Sequence, residues 1–250
     1  MNQTTSKATK KKLSALAGLL IGAIAMSLAH QASASLILTI DDLSTVGIDA
    51  IIVDDADGGV GTATAVGLSN FTDGSAGDGL VTFNGAIGSF IVNVTTGLSK
   101  PFIGSTSDPR IDLNSVNVSG SAGDLVLSLT DTDFLMAGAT ELTLQSLIGG
   151  TTDGTVTTTY FLGAGNTEFG NTLQLGPTAL GPGSFSYTAS GNGAVAGAFS
   201  LSNTVMIHHN GAGDITSFDS LTRTQIPVPG TFLLLGLGLF GLRFAGRRNK

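Results

Sequence analysis

Three closely spaced aspartates, Asp54, Asp55 and Asp57, stand directly before the glycine pair 58–59. Carboxylates near glycines are typical of calcium loops, but an EF-type loop requires oxygen ligands at fixed spacings and a terminal bidentate glutamate. This stretch has neither the spacing nor the glutamate. We therefore expect aspartates of solvated turns and no resident cofactor or metal, with weak calcium binding by surface aspartates as the alternative.

Two adjacent histidines, His208 and His209, follow the β-branched and apolar run 204–207. Successive side chains of a strand point to opposite faces of the sheet, so two adjacent imidazole rings cannot share a metal ion. The same alternation predicts that His209 lies on the side of Val205 and Ile207. This pair therefore predicts no metal site.

Either histidine could join a serine and an aspartate in a catalytic triad, since both residue types are abundant. The sequence has no G-x-S-x-G nucleophile motif, however. The two glutamates, Glu141 and Glu168, give no spacing that argues for or against a glycosidase pair. We expect no catalytic residue and no enzyme, with a secreted hydrolase as the alternative.

The composition of the 250-residue chain excludes several kinds of site. Because the chain has no Cys, it has no disulfide framework, thiolate zinc site, iron–sulfur cluster or cysteine nucleophile. Between residues 35 and 226 there are three basic residues and all 18 acidic ones, a formal charge of −15. A surface of this charge repels a phosphate backbone, so nucleic-acid binding is not expected.

The elements that carry these residues follow a period of two rather than a helical period. Leu125, Leu127 and Leu129 alternate with more polar residues, and the apolar residues of 90–94 do the same. The segment 134–147 is nearest to a helical pattern without matching it. About twelve short strands in ~190 residues predict an all-β, β-sandwich or jelly-roll-like domain over 35–225. A parallel β-helix is the minor alternative.

Two local patterns predict where these strands turn. Asn-Gly pairs at 84–85, 192–193 and 210–211 lie between apolar runs and are typical of hairpin turns. Ile111 and Leu113 are followed by Val116 and Val118, and this change of parity predicts a bulge or tight turn near 114–115.

The N-terminal residues 1–34 have the order of a secretory signal peptide. Basic residues end at Lys12, an uncharged segment follows at 13–29, and Ala32 and Ala34 make a small-x-small cleavage site. We expect Ser35 to be the first mature residue, with the Sec machinery and a signal peptidase as partners. A retained membrane anchor is the alternative.

The C-terminal residues 226–250 form a second signal in three parts. Pro227, Val228, Pro229 and Gly230 come first, followed by the apolar segment 232–242. The basic tail consists of Arg243, Arg247, Arg248 and Lys250. A helix over 231–246 would extend ~24 Å, less than the ~30 Å of a bilayer's hydrocarbon core. We expect a short hydrophobic helix that anchors the chain in the membrane transiently or permanently.

On these residues the tail resembles the PEP-CTERM sorting domain, which exosortases of Gram-negative bacteria process. Val228 stands where the motif that names the family has glutamate. The resemblance covers only the tail. It implies an exosortase as partner, and it implies association with exopolysaccharide or biofilm, because the family as a whole has that association.

Together these signals predict an exported, non-enzymatic protein of the cell envelope or extracellular matrix, associated with exopolysaccharide. A carbohydrate-binding module is the main alternative, although Trp is absent and only Tyr160 and Tyr187 could supply tyrosine platforms for sugar rings. An ice-binding protein is a further alternative. It would need a flat threonine array, of which Thr155, Thr157 and Thr159 provide one short row.

Overall fold

The computed structural model describes residues 36–54, 64–65 and 77–227, which form thirteen β-strands and no α-helix. The strands are β1 (Leu36–Asp42), β2 (Ala50–Asp54), β3 (Thr64–Ala65), β4 (Leu80–Ile87), β5 (Phe90–Leu98), β6 (Arg110–Ser119), β7 (Gly123–Phe134), β8 (Glu141–Thr152), β9 (Thr155–Gly163), β10 (Leu173–Leu180), β11 (Gly183–Ala194), β12 (Phe199–His209) and β13 (Ile215–Gln225).

The strands form two antiparallel sheets that face each other as a β-sandwich. The seven-stranded sheet has the order β10-β9-β12-β7-β1-β2-β3, and the six-stranded sheet has the order β11-β8-β13-β6-β5-β4. All of the pairings in both sheets are antiparallel. The all-β sandwich predicted from the sequence is confirmed, and the parallel β-helix alternative is wrong.

The core lies between the two sheets and follows from the alternation in the sequence. Leu125, Leu127 and Leu129 of β7 are fully buried, as are Phe90 and Val92 of β5. Full burial of one such side chain stabilises the fold by about 1.5–3 kcal/mol. The alternation therefore sets which face of each strand points inward.

The core also holds polar side chains, and several of them hydrogen-bond to one another across strands. In the six-stranded sheet the hydroxyls of Thr95 and Ser115 lie 2.7 Å apart, and both side chains are buried. The side-chain amide of Asn203 donates to the Ser220 hydroxyl at 2.8 Å and to the Ser220 carbonyl at 3.1 Å, which joins the two sheets. Buried hydroxyls and amides are tolerated where they find partners of this kind.

The Asn-Gly pairs are not hairpin turns, so this prediction is wrong. The pair at 84–85 lies inside β4, beside a register shift, and the pair at 192–193 lies inside β11. The pair at 210–211 connects β12 to β13, which belong to different sheets. The β4–β5 hairpin turns instead at Gly88, whose φ of 52° is easy only for glycine.

The bulge predicted at 114–115 is also misplaced. Strand β6 keeps its alternation, burying Ser115 and Asn117 and leaving Val116 39% exposed. The irregularity lies in the neighbouring strand β5, where the register shifts at Asn93. Strand β6 continues through 114–115 because its pairing with β5 and β13 keeps inward and outward side chains in alternation. The segment 134–147 forms the end of β7, a loop and the start of β8.

Several predicted residues lie outside the part of the chain that the structure describes. They include the cleavage-site residues Ala32, Ala34 and Ser35, the motif residues Val228, Pro229 and Gly230, and the basic tail. The signal peptide and the C-terminal helix therefore stay predictions, as do the domain boundaries. Among residues 36–54, 64–65 and 77–227, no helix has the length and apolarity needed to cross a membrane.

Candidate functional site

The two histidines lie on opposite faces of β12, as predicted. His208 is exposed, and its Nδ1 lies 2.8 Å from Oδ1 of Asp124. His209 is buried, and its Nε2 lies 2.7 Å from the Thr216 hydroxyl. Burial lowers the pKa of His209, so its ring is neutral at pH 7. Within the described ranges, no hydrogen bond joins either ring to a serine.

Asp54, the first of the three aspartates before the glycine pair, is hydrogen-bonded within the fold. Both carboxylate oxygens of Asp54 accept backbone N–H groups, from Gly77 and from Gly79 (2.7 Å for Gly79), and so tie the end of β2 to the start of β4. Among the described residues no group of three or more His, Asp or Glu is placed to hold a metal ion. Asp55 and Asp57 lie outside those residues, so calcium binding there stays untested.

The tyrosines offer one surface ring at most. Tyr160 is fully buried between the sheets, and its hydroxyl lies 3.4 Å from that of Ser220. It is therefore not a platform for sugar rings, and that part of the prediction is wrong. Tyr187 of β11 packs against the core and is partly exposed.

A groove of about 270 Å³ runs over β11, β8 and β13 of the six-stranded sheet. Strand pairing builds it, because Thr188 faces Leu147 and Ser190 faces Gln145, which in turn faces Arg223. The lining combines hydroxyls, an amide, a guanidinium and an aliphatic side chain that is 42% exposed at Leu147. This mixture of groups suits a polyhydroxylated ligand.

Arg223 is the cation of this groove. Its Nε donates to Oε1 of Gln145 at 3.1 Å. Among the described residues it has no carboxylate partner within ion-pair distance, whereas the arginine paired with it on β6, Arg110, contacts Asp108 at 2.9 Å. The terminal nitrogens of the Arg223 guanidinium are therefore available to a ligand that accepts hydrogen bonds.

A pair of carboxyl groups, Asp112 of β6 and Asp219 of β13, lies on the same face of the six-stranded sheet. Burial, followed by the charge of Asp219 and a hydrogen bond with it, raises the pKa of Asp112 to about 7. Two adjacent carboxylates cannot both ionise easily, so the pair holds a proton near neutral pH. No sequence pattern predicts this pair, because strand pairing alone brings the two residues together.

Threonine and serine hydroxyls occupy the outer face of the seven-stranded sheet. Thr155, Thr157 and Thr159 of β9 form the predicted row. Strand pairing extends this row of hydroxyls across the sheet, because Thr159 faces Thr204 of β12. The Thr204 hydroxyl lies 3.0 Å from that of Ser128. The array is not uniform, because Met206 stands beside the middle threonine.

Comparisons with known proteins locate the sorting signal. A family model described as the PEP-CTERM protein-sorting motif matches residues 225–249. The chain therefore carries a PEP-CTERM sorting motif, which confirms the resemblance seen in the sequence. The motif indicates an exported protein with a C-terminal tail that an exosortase processes. No curated protein matches this chain.

Several solved structures are similar to this chain at low sequence identity. The adhesin domain of Epf from Streptococcus pyogenes is 8% identical with a TM-score of 0.38, covering 76% of this chain and 57% of that one. The carbohydrate-binding module TmCBM61, solved with β-1,4-galactotriose, is 11% identical with a TM-score of 0.28, covering 56% of this chain and 91% of the module.

Proposed function

We propose that this chain is an exported protein of the cell envelope or extracellular matrix that acts without catalysis and associates with exopolysaccharide. The Sec machinery delivers it through residues 1–34, and a signal peptidase cuts between Ala34 and Ser35. An exosortase then processes the tail. The sandwich is the part that remains at the cell surface or in the matrix.

The position of the sorting motif relative to the fold carries this proposal. Strand β13 ends at Gln225, and the family model begins at the same residue. This strand lies between β8 and β6, so it is an interior strand of its sheet. A cut beyond Pro229 removes residues of the tail and leaves all thirteen strands intact. Processing is therefore compatible with a folded, released domain.

Fractionation of the host with and without its exosortase tests the proposal. In the parent strain we expect the sandwich at the cell surface or in the medium. In the strain without exosortase we expect it in the membrane fraction with its tail attached. The same distribution in both strains would contradict the proposal.

Carbohydrate binding is the second candidate, and the groove across β11, β8 and β13 favours it. Sugar hydroxyls can accept hydrogen bonds from Arg223 and exchange them with Gln145, Thr188 and Ser190. Leu147 gives the apolar surface that the carbon face of a sugar ring requires. This candidate adds a ligand-binding role to the proposed matrix protein.

Binding of purified exopolysaccharide, or a glycan array, tests this candidate with two matched variants. Arg223→Ala should weaken binding by about tenfold or more, since a hydrogen bond to a charged group contributes about 1.5–3 kcal/mol. Arg110→Ala is the control, because that guanidinium is already paired with Asp108. Equal binding by the two variants would show that the groove is not the site.

A further inference from the structure

Strand β13, which leads to the sorting motif, ends beside two loops of the sandwich, at residues 99–109 and 135–140. The backbone N–H of Thr224 donates to the carbonyl of Pro109 at 3.3 Å. The hydroxyl of the same threonine donates to Sδ of Met136 at 3.7 Å. The chain therefore leaves the fold between these loops.

A third loop, at residues 164–172, lies at the same end of the molecule. The Asn166 side chain accepts the backbone N–H of Asp133 and donates to its carboxylate, both at 2.7 Å. The N–H of Phe169 donates to the Thr130 hydroxyl at 3.1 Å. We call the three loops and the C-terminal end of β13 the exit end. Strand β1 also begins here, because its first residues pair with the end of β7.

Each element of the exit end exposes a large apolar side chain. The exposed fraction is 60% at Phe102, 46% at Leu135, 39% at Phe169 and 51% at Ile226. Phe169 has a φ of 51°, an unusual conformation for a bulky residue, and its hydrogen bond to the sandwich holds it there. The opposite end also exposes apolar side chains, at Leu43, Val46, Ile48 and Ile215, so the departure of the tail is what distinguishes the exit end as an interaction surface.

The charges of the sandwich differ between its two ends. The three cations of the described residues, Lys100, Arg110 and Arg223, all lie toward the exit end, where they offset part of the acidic charge. The described part of the opposite end has no lysine or arginine. Its six acidic residues are Asp41, Asp42, Asp49, Asp124, Asp153 and Asp214, whereas the exit end has seven, at Asp54, Asp78, Asp108, Asp131, Asp133, Glu141 and Glu168. The formal charge is 3 − 7 = −4 at the exit end and −6 at the opposite end, so anionic lipid headgroups repel both ends and repel the opposite end slightly more.

The tail is too short to hold the sandwich far from a membrane. Six residues, 226–231, separate the end of β13 from the apolar segment 232–242. An extended chain spans at most ~3.3–3.6 Å per residue, so this linker reaches about 20 Å. The exit end must lie within that distance of the bilayer whenever the apolar segment is inserted.

We propose that the exit end rests on the lipid surface while the tail is inserted, with Phe102, Leu135 and Phe169 in the interfacial layer. This inference depends on the proposed function, because it requires the tail to engage a membrane before processing. Aromatic and aliphatic side chains at the depth of the headgroups are typical of proteins that lie on bilayers. The contact fixes the orientation of the sandwich while the tail awaits its exosortase.

Single-cysteine labelling of the full 250-residue chain tests this orientation, and the absence of native Cys makes each label unique. The variants are Phe102→Cys and Phe169→Cys at the exit end, Val46→Cys as the matched exposed apolar control at the opposite end, and Leu235→Cys in the tail. Each carries an environment-sensitive fluorophore and is placed in phosphatidylethanolamine–phosphatidylglycerol vesicles. A nitroxide-labelled lipid serves as the quencher.

We expect the labels at 102, 169 and 235 to shift to shorter wavelength and to lose emission to the lipid quencher, and the label at 46 to do neither. If the tail label is quenched but the labels at 102 and 169 do not shift, the orientation inference is overturned and the proposed function stands. An unquenched tail label would overturn both this inference and the membrane stage of the proposed function. Shifted exit-end labels without vesicles would indicate a second protein copy and would also overturn it.

Discussion

Lys100 and Asp131 form a buried ion pair at the exit end, and replacing the lysine by methionine should destabilise the sandwich strongly. Their nitrogen and oxygen lie 2.8 Å apart, with side-chain exposures of 9% and 0%. The Lys100 ammonium also lies 3.9 Å from the centre of the Phe134 ring. Lys100→Met keeps most of the apolar stem but removes the charge that opposes the buried carboxylate.

The expected loss follows from what remains around Asp131. Its carboxylate still accepts the Ser99 hydroxyl and the backbone N–H of Thr132, the latter at 2.7 Å. Breaking a buried pair by removing one partner costs about 3–5 kcal/mol, and these hydrogen bonds favour the lower value. A loss of about 3 kcal/mol lowers the folding equilibrium constant by about 100-fold.

Urea unfolding at pH 7 measures this loss. The control is the double variant Lys100→Met/Asp131→Asn, which also removes the negative charge and should lose clearly less than the single variant. Burial already raises the pKa of Asp131, with Lys100 and the hydrogen bonds opposing the rise. The deficit of the single variant should therefore shrink as the pH falls and the carboxyl takes up a proton. A loss below about 1 kcal/mol, or an equal loss in both variants, would refute the reasoning.

Three further predictions concern the acids and one glycine. Because the folded pKa of Asp112 is raised to about 7, its stabilising contribution is complete in acid and is lost as the pH rises through that value. The melting temperature should therefore fall between about pH 4, near the ordinary pKa of 3.8, and about pH 8, just above the raised pKa, and Asp112→Asn should reduce the fall. Gly150→Ala should destabilise by about 1–3 kcal/mol, since its Cβ would meet the backbone of β13. Gly149→Ala, with its nearest atom at 3.7 Å, should stay within about 0.5 kcal/mol of the parent in urea unfolding. Millimolar calcium should leave the melting temperature unchanged, because the carboxylates of Asp42 and Asp54 already accept backbone N–H groups; a clear upward shift would show a site.

Alternation of apolar residues made the sandwich predictable from the sequence. The run 125–129 buries each second residue in β7, and His208 and His209 fall on the predicted faces of β12. Such patterns are local, because a strand with one buried face must place its apolar residues at every second position. The three-part tail was also predictable, because its order of prolines, apolar residues and basic residues is a local pattern too.

Turn positions and buried polar residues were not predictable in this way. The turn at Gly88 is held by Asp42, which accepts the backbone N–H of Ser89 at 2.7 Å from a strand of the other sheet. The donor Ser89 and the acceptor Asp42 are 47 residues apart in sequence. Ser115 is buried because Thr95 supplies its partner across the strands. Both features depend on tertiary contacts rather than on local propensity.

The groove and the carboxyl pair also arise only from strand pairing. Thr188, Gln145 and Arg223 belong to β11, β8 and β13 and become neighbours through their register. Asp112 and Asp219 meet in the same manner across β6 and β13. Residue types can be read from a single sequence, but the order of strands in the sheet cannot. Neither the groove nor the carboxyl pair could therefore be predicted from the sequence.

Intact-mass spectrometry of the protein isolated from its native host tests the central claim most directly. We predict the mass of a chain that begins at Ser35 and ends close to Pro229. Such a chain is the sandwich without its two sorting segments. Loss of the N-terminal segment alone, with the tail retained through Lys250, would contradict exosortase processing and leave the chain a membrane-anchored protein.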